Sequence, residues 1–202
     1  RELFAVWHPD TFAVMQADKL LRTFDGGLTF ADVTPLSGLN RGNLFISPSS
    51  NRIFATIQNN VVYSVNYGDT WQLGLNSEIM NSMDETPDGR LFLYSYNTNH
   101  KLWTSTNGGT TWAEVVNLDW TNVSFADMDV APDGTVNVLM VKNSSMVLAS
   151  SNDAGNSWLY HRLPSNNIFQ PDITTNAAGH LLIPAINNMV FVSTDAGLSW
   201  YN

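Results

Sequence analysis

Cysteine is absent from the 202 residues. That excludes disulfides, thiolate metal sites and a cysteine nucleophile together, and it leaves the redox compartment open. Basic residues are scarce as well: nine Lys and Arg, scattered along the chain, stand against eighteen Asp and Glu, for a net charge of −9 and a pI near 4.6. A nucleic-acid partner would require a basic stripe to neutralise phosphates, and an anionic membrane surface would repel such a chain. Charged residues of both signs reach 13%, about half the usual ~25%, so Asn, Ser and Thr take the surface role. No apolar run approaches the roughly 18 residues of a membrane-spanning helix; Val138-Leu139-Met140-Val141 is of strand length. No segment longer than a turn holds a 3.6-residue period, which argues against helices. Neither a nucleophile elbow nor a phosphate-cradling loop nor a dinucleotide fingerprint occurs. His8, His100, His161 and His180 lack metal-ligand spacing.

What the chain has instead is one eight-residue phrase written five times: Thr23 to Phe30, Ser64 to Trp71, Ser105 to Trp112, Ser151 to Trp158 and Ser193 to Trp200. Successive copies start 41, 41, 46 and 42 residues apart. A fixed period of this length means a repeat architecture in which no unit buries its apolar face alone. The third position (Asp25, Asn66, Asn107, Asp153, Asp195) carries an acceptor oxygen for backbone N–H groups within its own turn. The fifth is always Gly (Gly27, Gly68, Gly109, Gly155, Gly197), as expected where the backbone takes a positive φ. The seventh is Thr or Ser, and the eighth is a large aromatic that starts the next strand.

Between the phrases the chain alternates apolar and polar residues and is rich in β-branched and aromatic types, with Pro, Gly, Asn and Asp as punctuation. In the fourth repeat strands are expected over 127–131, 135–142, 146–150 and 158–163, with a Pro132-Asp133-Gly134 turn after the first. The third repeat carries Pro87-Asp88-Gly89 in the same place. The expectation is an all-β chain with four short antiparallel strands per repeat and the phrase as the hairpin between the third and fourth.

Ser-x-Asp-x-Gly-x-Thr-Trp resembles the Asp-box, or bacterial neuraminidase repeat, of the sialidase-type β-propellers. The resemblance covers essentially the whole chain. It implies one propeller domain over residues 1–202, with blades of about 1–34, 35–76, 77–118, 119–163 and 164–202. The boxes would then sit on the blade periphery, away from the functional face. Departures are modest: Thr23 and Phe30 open and close the first box, and the second and third carry Asn66 and Asn107, which keep the acceptor oxygen and lose the charge. Five units would close a five-bladed ring or form most of a larger one. The chain begins at Arg1 rather than Met, and the expectation is a piece processed or excised from a longer protein.

Two sets of candidate residues follow. In propellers the first strands line the central channel, so Asp84, Asp129 and Asp172 would face a common cavity, where carboxylates serve as acid and base for a glycosidic bond or hold a hard cation such as Ca²⁺. Otherwise no cofactor is implied. The sialidases of the family use three arginines from separate blades, a Tyr–Glu pair and an early Arg-x-Pro motif. Here Arg52-Ile53-Phe54 lacks the Pro and only Glu2, Glu78, Glu85 and Glu114 are present, so a sialidase site is not expected. The second set lies on the loops opposite the boxes: Arg41, Asn97, His100, Trp120, Phe169 and Gln170. Aromatic faces flanked by amides suit sugar stacking or a protein hot spot. The favoured expectation is a non-enzymatic recognition or scaffolding module of a secreted, cell-surface or virion-surface protein, binding a glycan or a protein partner. The alternative is a glycoside hydrolase using the channel carboxylates.

Overall fold

The computed structural model describes residues 3–16, 19–35, 43–163, 172–185 and 189–201. Period-two patterning produces sheets only: among the described residues there is no helix. Each repeat is an antiparallel meander. The first comprises β1 (Leu3–His8), β2 (Thr11–Gln16), β3 (Lys19–Thr23) and β4 (Ala31–Asp32); the second β5 (Leu44–Ile46), β6 (Ile53–Ile57), β7 (Asn60–Ser64) and β8 (Gln72–Leu75). The third comprises β9 (Met80–Glu85), β10 (Leu91–Tyr96), β11 (His100–Ser105) and β12 (Ala113–Glu114). The fourth comprises β13 (Val123–Val130), β14 (Val136–Lys142), β15 (Ser145–Ser151) and β16 (Leu159–Arg162). In the fifth, β17 (Thr174–Thr175), β18 (Leu181–Pro184) and β19 (Val190–Ser193) pair in order, and the outer strand is reduced to one bridge between Val192 and Tyr201. β13 begins at Val123, four residues before the strand expected from alternation, because Val123 and Phe125 pair with Lys142 and Val141 across a register shift. A bulge of this kind breaks the period that alternation relies on.

The alternation explains how the sheets stack. Phe92 and Tyr94 of β10 pack with Val136, Val138 and Met140 of β14, while Leu91 and Leu93 pack the other way, onto Phe54 and Tyr63. Leu139 of β14 faces Leu181 and Ile183 of β18, and Ile53, Ala55 and Ile57 of β6 face Ala13 and Met15 of β2. Among the described residues the buried core thus forms four clusters, each between consecutive sheets. This is the blade stacking of a β-propeller. Among the described residues no such cluster lies between the fifth sheet and the first.

The eight-residue turns brace themselves and dock in one direction. In each, the first hydroxyl donates to the third residue's Oδ1 at 2.7–2.9 Å and accepts the glycine N–H at 2.8–2.9 Å. That same Oδ1 accepts the N–H of the seventh residue at 2.8–3.0 Å. In the Asp copies the seventh hydroxyl donates to Oδ2 at 2.5–2.6 Å; in the Asn copies the direction reverses, and Asn66 and Asn107 Nδ2 donate to Thr70 and Thr111 at 3.0 and 2.8 Å. The glycine of each later turn then sits against the preceding blade: Gly68 on Val33, Gly109 on Phe54, Gly155 on Val115 and Gly197 on Leu148. Among the described residues Gly27 meets only Phe12 and Phe30 of its own blade.

In a meander the β1–β2 and β3–β4 type connections share one end. The braced turns therefore lie with the Pro-containing turns such as Pro87-Asp88-Gly89, and Gly26 N–H donates to Asp10 O at 3.0 Å across that end. The second-to-third and blade-to-blade loops occupy the other end, which is the loop face.

Candidate functional site

The first strands bring carboxylates together along the inner edge of blades three to five. Asp84 Oδ1 accepts Glu85 N–H at 2.8 Å, and its Oδ2 accepts Val130 N–H of the next blade at 2.9 Å. Asp127 Oδ2 accepts Ile173 N–H of blade five at 3.2 Å, and Ser82 Oγ accepts Met128 N–H at 3.2 Å. The three bonds that leave their own blade each span 46 residues. They are rivets between neighbouring blades. Burial pushes Asp84 and Asp127 above the usual carboxylate range. Asp129 is raised to about 6, chiefly by burial; Thr175 opposes the shift, and the charges of Asp84 and Asp127 add to it. Asp129 Oδ2 and Thr175 Oγ1 are nonetheless both buried without a completed hydrogen bond. Asp172, the third candidate carboxylate, is solvent-exposed at the start of blade five. Asp127 was not singled out from the sequence, although it stands two residues before Asp129 and so shares its strand face. Among the described residues no three His, Asp or Glu side chains assemble a metal-ion site.

On the loop face, His100 and Trp120 come together with two residues that the sequence reading passed over, Tyr94 and Tyr96. Tyr96 pairs directly with His100 across the β10–β11 hairpin, and their rings stack at 4.4 Å and 19°. Trp120, from the loop entering blade four, stacks on His100 at 5.5 Å and 18°. The Tyr94 hydroxyl lies 2.7 Å from His100 Nδ1, and Nε2 lies 3.0 Å from Val123 O. Burial lowers the His100 pKa. A neutral ring fits both contacts: the phenol donates to Nδ1 and Nε2–H donates to the carbonyl. The result is a ladder, Trp120–His100–Tyr96, bridging blades three and four, with Tyr94 alongside and also stacked on Trp120 at 5.8 Å. Tyr96 is 45% exposed, and Phe125 on β13 is 57% exposed. Asn97 Nδ2 reaches Ser77 O at 3.4 Å beside the ladder. Beneath this loop Glu78, only 4% exposed, accepts from Lys101 Nζ at 2.6 Å and from Ser95 Oγ at 2.5 Å. Arg41, Phe169 and Gln170 lie outside the described residues.

The opposite end is built differently. Turns of blades two to five, including Pro48, Pro87 and Pro132, surround a 510 Å³ cavity with Glu85 and Thr175 on its wall. The arginines there clamp blades rather than converge on one point. Arg22 Nη1 meets Asp69 Oδ1 at 2.6 Å and Tyr67 O at 3.1 Å, and Arg52 donates to Gly108 O and to Thr110 Oγ1 of the next blade's turn.

No family model matches the chain, and no curated protein matches it either. Solved structures do. A GH74 enzyme of Niastella koreensis is 21% identical with a TM-score of 0.69, covering 98% of this chain and 30% of that one. YCF48 bound to a D1 peptide is 15% identical with a TM-score of 0.70, covering 98% and 65%. A chain of a nidogen/laminin complex is 13% identical with a TM-score of 0.68, covering 96% and 75%. The chain thus spans about a third of the GH74 enzyme and just under two thirds of YCF48. At these identities the likeness shows the fold, and the fold is a β-propeller.

Proposed function

We propose that this chain is a non-enzymatic recognition module whose loop face takes a protein or peptide partner. The observation that carries the reading is the Trp120–His100–Tyr96 ladder, with an exposed Phe125 on β13 of the same blade pair. Large aromatic area is held rigid by hydrogen bonds to Tyr94 and Val123, so little side-chain freedom is lost on binding. The use of the carboxylates agrees. A glycosidase needs two carboxyl groups free to act across its substrate, whereas Asp84 spends both oxygens on backbone N–H groups and Asp127 ties blade five, which leaves Asp129 on the inner edge and the exposed Asp172 as the groups a hydrolase would have to use. YCF48 with its D1 peptide and the nidogen/laminin complex are propellers that carry partners, and this reading places the chain on their side rather than with the GH74 enzyme.

The hydrogen-bonded turn, with its Asp or Asn acceptor and its glycine on the preceding blade, supports membership of the Asp-box propellers, and with it a place on a secreted, cell-surface or virion-surface protein. The test is threefold on one purified chain: a random-peptide selection, a glycan array and a reducing-sugar release assay. Selected peptides should weaken about tenfold or more with Phe125→Ala and be unaffected by Leu198→Ala at the opposite end. Sugar release abolished by Asp129→Ala would overturn the reading in favour of the hydrolase. Retention on glycans alone would replace the peptide partner with a carbohydrate.

A further inference from the structure

The loop-face ladder is unfinished on its outer side. Trp120 and Tyr96 both stack on His100, but among the described residues Tyr96 has no ring contact besides His100, and it is 45% exposed. A fourth planar group would continue the stack. The charge around it selects which kind. The chain carries a net −9. Asp127, where ionised, stands close enough for its charge to bear on Tyr94 beside the ladder, and Asp172 is exposed at the start of blade five. The lysines at this end are already engaged, Lys101 with Glu78 at 2.6 Å and Lys142 with Asp119 at 2.8 Å. Arg22 and Arg52 are occupied at the opposite end. Burial favours the neutral form of His100, against the opposing pull of the Val123 carbonyl, so the ladder presents negative ring faces, and among the described residues no Lys or Arg is stacked over its rings.

We infer that the outer face of Tyr96 is a subsite for an arginine guanidinium of the partner, stacked as the fourth plane of the ladder; this deepens the proposed function and rests on it. A guanidinium is flat, always charged and weakly hydrated, so it gains both from stacking and from the negative field; a lysine gains only from the second and a neutral aromatic only from the first.

The experiment uses the peptides that the selection yields, with their arginines replaced one at a time by citrulline, which keeps the planar shape and removes the charge. Arginine should be enriched among the selected peptides. One citrulline replacement should weaken binding about tenfold, as should Tyr96→Leu. The two changes together should cost little more than either alone, since they remove the same contact. Tyr96→Phe keeps the ring face and should stay within about twofold. Peptides that depend on Phe125 but bind equally well with citrulline would overturn the arginine subsite and leave the recognition reading standing. A selection that yields no peptide sensitive to Tyr96 or Phe125 overturns both.

Discussion

Gly109 adopts a φ of 80°, and a β-carbon placed on it would lie 2.4 Å from Phe54 Cε1. Gly179 has nearly the same φ, 79°, but an added β-carbon would meet nothing within 4 Å. The pair separates the two reasons for glycine. Left-handed backbone costs an ordinary residue about 1 kcal/mol, and crowding a packed aromatic adds about 2 kcal/mol more. Gly179→Ala is therefore expected to lose about 1 kcal/mol in urea unfolding and Gly109→Ala about 3 kcal/mol. Equal losses would show that docking on the preceding blade contributes nothing. This requirement was legible in the sequence, because the turn is local and its glycine recurs at a fixed place. The residue before that glycine was less so. Tyr67, Ala154 and Ala196 also take positive φ, between 57° and 59°, and nothing in their chemistry announces it. The surrounding hydrogen bonds impose it.

At the scale of the strand and its turn, the inner edge and the braced turns set a pH dependence in two opposite limbs. Asp129, raised to about 6 from 3.8, holds more protons folded than unfolded between those values, so stability falls as pH rises through that window. The turn aspartates Asp25, Asp153 and Asp195 are held at about 2, chiefly by the hydroxyls of Thr29, Ser157 and Ser199. Their contribution is present above 3.8 and is lost as pH drops from there toward 2. A melting-temperature profile should accordingly peak near the crossover of the two limbs, around pH 4. Asp129→Asn should flatten the upper limb and raise stability at pH 8 by on the order of 1–2 kcal/mol, after allowance for the solvent that reaches the group. A variant less stable than the parent at pH 8 would mean that the ionised carboxylate has a partner there. The linking role of these strands was not readable from composition. Asp84 and Asp129 looked like channel carboxylates, and only the 46-residue offset between blades reveals that Asp84 binds a neighbour's backbone.

Over the whole molecule, stability should be concentrated where one blade meets the next. Phe54 is fully buried between blades two and three, whereas Phe30, the aromatic of the first turn, is 47% exposed. Phe54→Ala should cost about 3–5 kcal/mol, while Phe30→Ala should stay within about 1 kcal/mol. A similar loss at both would mean that Phe30 is also packed in solution. The repeat made the blade architecture readable from five short turns. The binding face was only partly readable. His100 and Trp120 stood out as loop residues, but their stacking depends on the register that sets Tyr96 against His100 and on a bulge that lengthens β13. Neither is encoded by residue type alone.

The most direct test of loop-face recognition is amide hydrogen exchange of the chain with and without saturating selected peptide. Protection is predicted at residues 96–100 and 119–125, with the braced turns at 105–112 and 151–158 unchanged. Protection confined to those turns, or spread over the walls of the 510 Å³ cavity at the opposite end, would contradict it.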